Sequence, residues 1–323
     1  MLQNAMKSMA KSKLAALGID TSNYKTSVAL VDTEGSIICN EQQFLEVKKG
    51  ERGLRQSTAL FQHVNNLPDL IARVFAAMPD DMNVGCIGVS TRPRPVEGSY
   101  MPVFNAGFSA ARMLAASLNV HYVEVSHQEG HIEAVKHDSV FRDTQRLICF
   151  HFSGGTSEAL LVDNGKIDIV GGSRDLAFGQ VLDRLGVTLG MDFPCGQEMD
   201  EIACGYVKVK GNILPKIKCI DGYINLSGIE TKCQRSVSEI ESDALIAMTF
   251  HRLADAIAAM CIQLKEKYKI HDFLFAGGVS SSRYIREYLT EHLTDCNLCF
   301  GDPVLSTDNA VGVARLGGKR LWL

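Results

Sequence analysis

Two histidines four residues apart are the first feature of this sequence that could carry out chemistry. They are His127 and His131, in the stretch V-S-H-Q-E-G-H-I-E at residues 125–133. Residues at this spacing lie on the same face of an α-helix, with Cβ atoms about 5–6 Å apart. The pair can therefore hold one metal ion, such as zinc or iron, if further ligands come from elsewhere in the chain. Because the same spacing is also found on helices that bind no metal, other features have to decide.

Composition and charge limit the classes of protein to which the chain can belong. It has 323 residues, 46% of them hydrophobic and 22% charged, which is typical of a globular protein of about two domains. The formal net charge of −4 argues against nucleic-acid binding over the whole surface, although a local basic patch remains possible. We find no apolar run of the roughly 18 residues that a membrane span needs, so we expect no membrane partner. Ten scattered cysteines indicate reduced thiols and a cytoplasmic location.

The order of the predicted elements indicates an α/β fold with an internal duplication. Residues 14–20 and 28–31 predict two antiparallel strands joined by the polar bend T-S-N-Y-K-T-S. The same arrangement returns at residues 147–152, a strand that ends in S-G-G-T-S and is followed by a second hairpin. Strands and helices then alternate, which favours buried strands. We interpret residues 208–235 as irregular and basic, either an insertion or an extended loop and strand, and residues 238–268 as one long amphipathic helix.

Glycines stand at two places where a strand gives way to a turn. S-G-G-T-S follows residues 147–152, and A-G-G-V-S-S-S-R lies between a predicted strand at 272–275 and a predicted helix at 284–292. Glycines before a helix N-terminus allow backbone amides to approach a phosphate. The first bend, with Asp20 at the end of its strand, can also present N–H groups and a carboxylate to a phosphate or a metal. Each feature taken alone is equally consistent with an ordinary turn.

In this order and spacing, the motifs resemble those of the TsaD family, transferases that make threonylcarbamoyladenosine in tRNA and were formerly described as O-sialoglycoprotein endopeptidases. The resemblance covers nearly the whole chain from residue 14. It implies the two-lobed actin-like ATPase fold of acetate and sugar kinases, Hsp70 and actin, with duplicated βββαβα units. We expect one lobe at residues 14–118 and 303–323, a second at 119–302, and a disordered extension at 1–13. The motifs are G-I-D-T-S, H-Q-E-G-H, S-G-G-T-S, N-L-S-G-I-E-T, F-A-G-G-V-S-S-S-R and S-T-D-N.

The resemblance implies a particular set of metal ligands. The family's two metal-binding histidines match His127 and His131, and its ligand aspartate matches Asp308. His151 stands where some members have a tyrosine ligand, so it is a further candidate ligand. Two histidines and a carboxylate leave coordination positions open for substrate and suit one divalent iron or zinc ion. As proton acceptors we consider Asp20 and His63, without a strong argument for either.

The resemblance also implies an adenylate or ATP-type nucleotide. The family's phosphate-binding glycines match Gly154, Gly155, Gly277 and Gly278, and its ribose-binding aspartate matches Asp183. The adenine loop matches F-P-C-G-Q, which contains Gly196 and is followed by Glu198. Thr156 stands where the family has histidine or asparagine after its two glycines. We expect these residues to form the nucleotide site; in chain order they are Gly154, Gly155, Thr156, Asp183, Gly196, Glu198, Gly277 and Gly278.

The implied reaction is a metal-dependent transfer of the threonylcarbamoyl group from threonylcarbamoyl-AMP to the exocyclic amine of a tRNA adenine. Family members usually work with a catalytically inactive TsaB-like homologue, a small TsaE-like ATPase and an enzyme that makes the adenylate. The expected partners are therefore tRNA and these proteins. Arg92, Arg94 and the lysines at residues 208–218 are candidate contacts with tRNA, or a solvated loop.

Several departures from the family pattern favour a divergent paralogue. Tyr24 and Lys25 replace acidic residues, Arg92-Pro-Arg-Pro replaces G-P-G-L, and Cys195 replaces a glycine of the adenine loop. The alternative is a carbamoyltransferase or kinase-like enzyme of the same fold that acts on a small molecule instead of tRNA. Converging metal ligands argue against a non-catalytic nucleotide-binding protein. An endopeptidase is the weakest alternative, since Glu129 is expected to point away from the histidine face.

Overall fold

A computed structural model describes residues 13–22, 24–47, 54–206, 211 and 213–322. The chain forms two compact units. The first contains the described residues up to His137 and from Thr307 onward, and the second is Asp138–Ser306. Each unit has its own β-sheet and its own hydrophobic core.

The described chain contains eleven strands and nine α-helices. The strands are β1 (Lys13–Asp20), β2 (Lys25–Asp32), β3 (Ile37–Phe44), β4 (Met82–Arg92), β5 (His121–Ser126), β6 (Arg146–Phe152), β7 (Ser157–Asp163), β8 (Lys166–Ser173), β9 (Tyr223–Ile224), β10 (Asp272–Ala276) and β11 (Asn297–Phe300). The helices are α1 (Gln56–Ala77), α2 (Phe104–Leu118), α3 (His127–Lys136), α4 (Phe178–Thr188), α5 (Gly196–Gly205), α6 (Ser227–Ser236), α7 (Ser242–Tyr268), α8 (Arg283–His292) and α9 (Val311–Trp322).

The first unit is built on a five-stranded sheet in the order β3-β2-β1-β4-β5. β1, β2 and β3 pair antiparallel, whereas β4 and β5 run parallel to β1. Alternate residues of a strand face opposite sides of a sheet. In β1, Leu17 and Ile19 pack with apolar residues of α1 and α2, whereas Gly18 meets α9. The sheet is therefore covered on both faces.

Close contact between glycines and α9 fixes this helix over the parallel strands. A Cβ added to Gly18 would lie 2.7 Å from the backbone nitrogen of Ala314, and one added to Gly88 would lie 2.9 Å from the carbonyl carbon of Val313. Only glycine allows an approach this close. The loop before α9, which carries Asp308, is thus held by its helix near the end of β1.

The second unit repeats this topology, which confirms the predicted duplication. Its sheet has the order β11-β10-β6-β7-β8-β9. β6, β7 and β8 pair antiparallel, and β10 and β11 lie parallel to β6, as β4 and β5 do to β1. By length and composition α7 could span a membrane, but 72% of its most apolar stretch is buried, as is usual for a core helix.

The boundary between the units differs from the expected one. Residues 119–137 belong to the first unit, because β5 pairs with β4 and α3 packs on α9. Residues 303–306 belong to the second unit. Of the expected N-terminal extension, residues 1–12 lie outside the described residues, and Lys13 already begins β1.

Residues 208–235 contain the short strand β9, in agreement with the alternative of an extended loop and strand, but the interpretation was wrong at the C-terminal end, where α6 begins at Ser227. This polar helix buries only Ile229, Cys233 and Ser236. Its N-terminus is held by Asp175, whose carboxylate accepts hydrogen bonds from the backbone N–H groups of Leu226 and Ser227. A cap supplied from about 50 residues away leaves no local sequence signal. The segment predicted as one helix, 238–268, begins as a helix only at Ser242.

Candidate functional site

The histidine helix α3 begins at His127 because Ser126 and Glu129 form a capping box. The Ser126 Oγ accepts from the Glu129 backbone N–H at 3.1 Å, and the Glu129 Oε2 accepts from the Ser126 N–H at 2.6 Å. Both otherwise unpaired N–H groups of the first turn are satisfied in this way. His127 is thereby fixed as the first helical residue, with His131 one turn further on the same face.

The two imidazoles and the Asp308 carboxylate form a triangle of candidate ligand atoms. The Nε2 atoms of His127 and His131 lie 2.9 Å apart, and Asp308 Oδ1 lies 3.1 Å from His131 Nε2 and 3.4 Å from His127 Nε2. Metal–ligand bonds of 2.0–2.1 Å separate adjacent ligand atoms by about 3.3 Å in a tetrahedral site and by about 2.9 Å in an octahedral one. The donor set and its spacing therefore fit a zinc or iron ion. All three residues belong to the first unit.

Asp20 orients the imidazole of His127 through Nδ1, the ring nitrogen that does not face the triangle. Its carboxylate is fully buried, accepts a short hydrogen bond from Ser90 Oγ, and accepts another from Ser22 Oγ at 2.7 Å. The His127 Nδ1 lies 2.8 Å from Ser22 Oγ and 3.2 Å from Asp20 Oδ2. A proton on Nδ1 shared with these oxygens leaves the Nε2 lone pair directed at the triangle, as in metal sites where a carboxylate supports a histidine ligand.

The electrostatics of the metal-free triangle favour the cationic form of His127, which carries a second proton on Nε2. Burial alone lowers the pKa of His127, but the Asp20 carboxylate and then Asp308 outweigh it and raise the pKa to about 10. Burial together with the neighbouring His127 cation lowers the pKa of His131. Burial raises the pKa of Asp308, but hydrogen bonds from the two histidines hold it well below its usual range. A metal ion would take the place of that proton.

Helix α9 holds α3 in position through direct backbone contact. A Cβ added to Gly312 would lie 2.7 Å from the Ala134 backbone nitrogen and would strike the Gly130 carbonyl oxygen. The buried Arg315 donates to the carbonyl oxygens of Ala134 and of Gly35 in the β2–β3 turn. Because Asp308 leads into α9, this packing sets the distance between the aspartate and the histidines.

Two ion pairs join the same helices and occupy the acidic residues of α3. Glu129 Oε1 lies 2.6 Å from Arg320 Nη2, and Glu133 Oε1 lies 2.6 Å from Lys319 Nζ. Burial raises the pKa of Glu129, but its bonds from Ser126 and Arg320 lower it overall. Glu129 therefore has both oxygens engaged in structural bonds. This geometry agrees with the argument against an endopeptidase, which would need this carboxylate as a base.

Two loops lie beside the residues of the triangle: the turn that carries Asp308 and the Arg-Pro-Arg-Pro loop at residues 92–95. The Asn309 Oδ1 accepts from the Val311 N–H, and its Nδ2 donates to the Thr307 carbonyl, so Asn309 fixes the turn that presents Asp308. The Arg-Pro-Arg-Pro loop is attached to α3, because the Gln128 N–H donates to the Pro93 carbonyl at 3.1 Å. Arg92 pairs in register with Ser126, the residue before His127.

The two proposed proton acceptors occupy different surroundings. Asp20 has both carboxylate oxygens engaged, and although burial raises its pKa, His127 and the two serines lower it overall. It is better suited to orient His127 than to accept a proton. His63 is buried on α1, with its Nδ1 2.9 Å from Thr26 Oγ1. Its role as a base stays a prediction. His151, the further candidate metal ligand, lies on β6 of the second unit, and its role as a ligand also stays a prediction.

The predicted phosphate glycines meet at one edge of the second sheet. Gly154, Gly155 and Thr156 follow β6, and Gly277 and Gly278 follow β10, its parallel neighbour. Gly277 has a φ of +91°, and a Cβ there would lie 3.0 Å from the Phe152 nitrogen, so the second loop requires glycine. A Cβ at Gly154 or Gly155 would meet nothing within 4 Å. The first loop is thus open on its Cβ side.

The predicted ribose and adenine residues lie on α4 and α5. Asp183 Oδ1 accepts from the Cys195 N–H at 3.0 Å, which leaves its second oxygen for a ligand, and burial raises its pKa. Gly196 and Glu198 lie in the first turn of α5. Cys195, the departure from the family loop, is fully buried against Gly186 of α4. Its thiol therefore lies in the core of the unit.

Sequence reasoning missed the residues that support the ligands. Ser22 lies in a bend that is visibly rich in hydroxyl groups, and Ser126 with Glu129 reads as S-x-x-E, so both had a local signal. Ser90 and Arg320 had none, since only the fold brings them to Asp20 and Glu129. Of the lysines considered for tRNA, those at 208 and 210 lie outside the described residues.

Comparison with solved structures defines the class of fold. An activator of 2-hydroxyisocaproyl-CoA dehydratase from Clostridium difficile, with bound ADPNP, matches with a TM-score of 0.55 and 13% identity over 95% of each chain. A ROK family glucokinase from Streptomyces griseus matches with a TM-score of 0.53 and 12% identity over 94% of this chain and 99% of its own. The duplicated sheets and these similarities place the protein in the actin-like ATPase fold, as predicted.

Sequence comparison then narrows the class to one family. The family described as TsaD, tRNA N6-adenosine threonylcarbamoyltransferase, matches residues 38–315. A tRNA N6-adenosine threonylcarbamoyltransferase of Neorickettsia sennetsu is 32% identical over 94% of this chain and 93% of its own, and one of Dictyoglomus turgidum is 29% identical over 94% and 92%. The chain belongs to the TsaD family, a family of transferases that act in tRNA threonylcarbamoyladenosine biosynthesis.

Proposed function

We propose that this protein transfers the threonylcarbamoyl group of threonylcarbamoyl-AMP to the exocyclic amine of a tRNA adenine in a metal-dependent reaction. The observation that carries the proposal is the triangle of His127, His131 and Asp308 in a member of the TsaD family. Three converging ligands at the spacing of a coordination polyhedron would be costly to maintain in a protein that bound no metal.

The site residues would act mainly by holding and orienting the reactants. A bound iron or zinc ion would supply a Lewis acid that stabilises negative charge on the donor. Asp20 keeps Nε2 of His127 directed at the triangle, and the α3–α9 contact keeps Asp308 beside it. For the glycine loops after β6 and β10 in the second unit, we propose that backbone N–H groups bind a nucleotide phosphate. No covalent nucleophile is required, because placing the amine next to the carbamoyl carbon is a large part of the work.

Partners and location follow from the same proposal. The macromolecular substrate is tRNA, bound with the help of a TsaB-like homologue and a small TsaE-like ATPase in the cytoplasm, with no membrane. A relative from Methanobrevibacter smithii bears the name of a probable bifunctional tRNA threonylcarbamoyladenosine biosynthesis protein. In this chain Arg92 is a candidate phosphate contact, since its guanidinium donates to Thr91 and forms no ion pair with any described carboxylate.

A second candidate function is supported by the departures near the metal site. Lys25 is a cation where family members have a carboxylate, and the Arg-Pro-Arg-Pro loop is fixed to the first turn of α3. The first change places a cation next to the loop that carries Asp308, and the second places two arginines in a loop attached to the helix of His127. They favour a carbamoyltransferase or kinase-like enzyme that acts on a small anionic acceptor in place of tRNA.

The deciding experiment is a transfer assay with the full chain, threonylcarbamoyl-AMP and unmodified tRNA, with and without the partner proteins. Asp308→Ala removes a ligand, and Asp80→Ala removes an exposed carboxylate between α1 and β4 as a matched control. We expect transfer with the wild type and the control, and none with Asp308→Ala. Adenylate breakdown without transfer to tRNA would support the small-molecule function, and transfer by Asp308→Ala would contradict the role of the metal.

A further inference from the structure

Lys25 places a buried cation directly beside the metal-ligand loop. The residue begins β2 and is only 8% exposed. Its Nζ donates to Gln42 Oε1 and to Thr307 Oγ1, both at 3.0 Å. Thr307 immediately precedes Asp308, so the ammonium is held at a fixed position next to the triangle.

The ammonium is held by neutral groups and has capacity for one more acceptor. An ammonium carries three N–H donors, and two of them are used by the amide and the hydroxyl. Within the described part of the chain, no carboxylate forms a salt bridge with Lys25. Buried charges in proteins are normally paired, because an unpaired one costs free energy. Burial indeed lowers the pKa of Lys25, and the charge of Asp308 opposes this only through space.

An aromatic ring covers the same ammonium. The Phe44 ring centroid lies 4.8 Å from Nζ, and the Phe44 side chain is 70% exposed. The ring stabilises the charged ammonium and limits the access of water to it, so the interaction with a bound anion would be less screened. An exposed ring over a buried cation is the geometry expected where a ligand completes the surface.

We propose that Lys25 is an oxyanion-binding residue of the metal site and receives a phosphate or carboxylate group of the substrate. This proposal rests on the proposed function, because it concerns the same site and its donor substrate. An oxyanion placed between the ammonium and the triangle would satisfy the third N–H and would interact with both positive centres. Since Gln42 and Thr307 already hold Nζ in place, little ordering is needed when the anion binds.

The test is binding of two probes to the zinc-loaded full chain by isothermal titration calorimetry. AMP presents the phosphate group, and N-carbamoyl-threonine presents the carboxylate. Lys25→Met removes the charge at similar length, and Lys25→Arg restores a cation. Lys13→Met is the matched control, since Lys13 lies about 23 Å away at the other end of the first strand and pairs with the exposed Asp81. Zinc affinity is measured on each variant by competition with a chelator.

We expect Lys25→Met to weaken binding of one probe at least about tenfold, with Lys25→Arg intermediate and Lys13→Met unchanged. Zinc affinity should stay equal or increase, because a cation near Asp308 has been removed. The probe that responds identifies the group that Lys25 receives. Equal binding by Lys25→Met and Lys13→Met, a joint loss of zinc and probe affinity, or binding of neither probe by the wild type would overturn the proposal. A wild type that binds no zinc would refute the metal site of the proposed function, and this proposal with it.

Discussion

Replacing Gly312 with alanine tests whether the α3–α9 contact sets the metal geometry. The added Cβ would lie 2.7 Å from the Ala134 nitrogen and closer still to the Gly130 oxygen, whereas ordinary contacts begin at 3.4 Å. Neither atom belongs to a flexible side chain, so the helices must separate by about 0.7 Å or more to restore an ordinary contact. That movement exceeds the tolerance of about 0.2 Å on metal–ligand distances.

Two magnitudes follow from this separation. Overpacking of a buried contact typically costs about 1–3 kcal/mol in the free energy of unfolding. Displacing Asp308 from the histidines should weaken zinc binding by about 10–100-fold, the range seen when the support of a metal ligand is lost. Urea unfolding in the presence of a chelator measures the first quantity, and chelator competition under folding conditions measures the second.

The control is Gly205→Ala at the end of α5, where an added Cβ would meet nothing within 4 Å. It should change stability by less than about 0.5 kcal/mol and leave zinc affinity unaltered. The reasoning is refuted if Gly312→Ala is folded, shows normal circular dichroism, and binds zinc within twofold of the wild type. In that case Asp308 would be positioned by its own loop and not by the helix contact.

Three further predictions concern the same site. Zinc binding should release about one proton between pH 7 and 9, because His127 has its pKa raised to about 10 in the metal-free protein; calorimetry in buffers of different ionisation enthalpy measures this number, and zero would contradict it. Asp20→Asn should weaken zinc binding about 10–100-fold with little loss of structure, measured by chelator competition. Arg320→Met should destabilise the protein by about 1–3 kcal/mol in urea unfolding at pH 7, since Glu129 keeps a buried charge without its partner.

Three buried or partly buried carboxylates determine how the stability of the protein changes at acidic pH. Glu129, Glu133 and Asp308 have pKa values lowered in the folded protein. Their contribution to stability is therefore present above the ordinary carboxyl pKa and is lost as the pH falls through the folded values. The raised pKa of His127 acts in the opposite sense in the metal-free protein. Its contribution is complete below about pH 6.5 and is lost as the pH rises through about 10.

The sequence predicted much of the fold because strands and turns leave local signals. The two hairpins were predicted from their strand and turn residues, and the helices predicted at 238–268 and 284–292 are found at Ser242–Tyr268 and Arg283–His292. The boundary between the two units was not predicted correctly. Residues 119–137 join the first unit because β5 pairs with β4, and strand pairing is a long-range property. Helix α6 was missed for the same reason, since Asp175 holds its N-terminus from a distant loop.

The residues of the candidate site also differ in whether a local sequence signal predicts them. The spacing of His127 and His131 predicts a shared face from local geometry alone, whereas Asp308 is 177 residues from His131 and came only from the family resemblance. Ser90 and Arg320 could not be found by either route, because their roles depend on contacts that only the folded chain creates.

The positions of Cys195, Lys25 and Arg92 in the structure indicate what their differences from the TsaD family pattern change. Cys195 is buried in its own unit, so the thiol that stands in place of the family's glycine packs in the core against Gly186. Lys25 lies beside Thr307 and Arg92 beside Ser126, so both changes fall next to neighbours of the candidate metal ligands Asp308 and His127. Lys25 in particular places a cation next to the loop that carries Asp308. We therefore expect the divergence of this chain to appear first in the binding of its substrate.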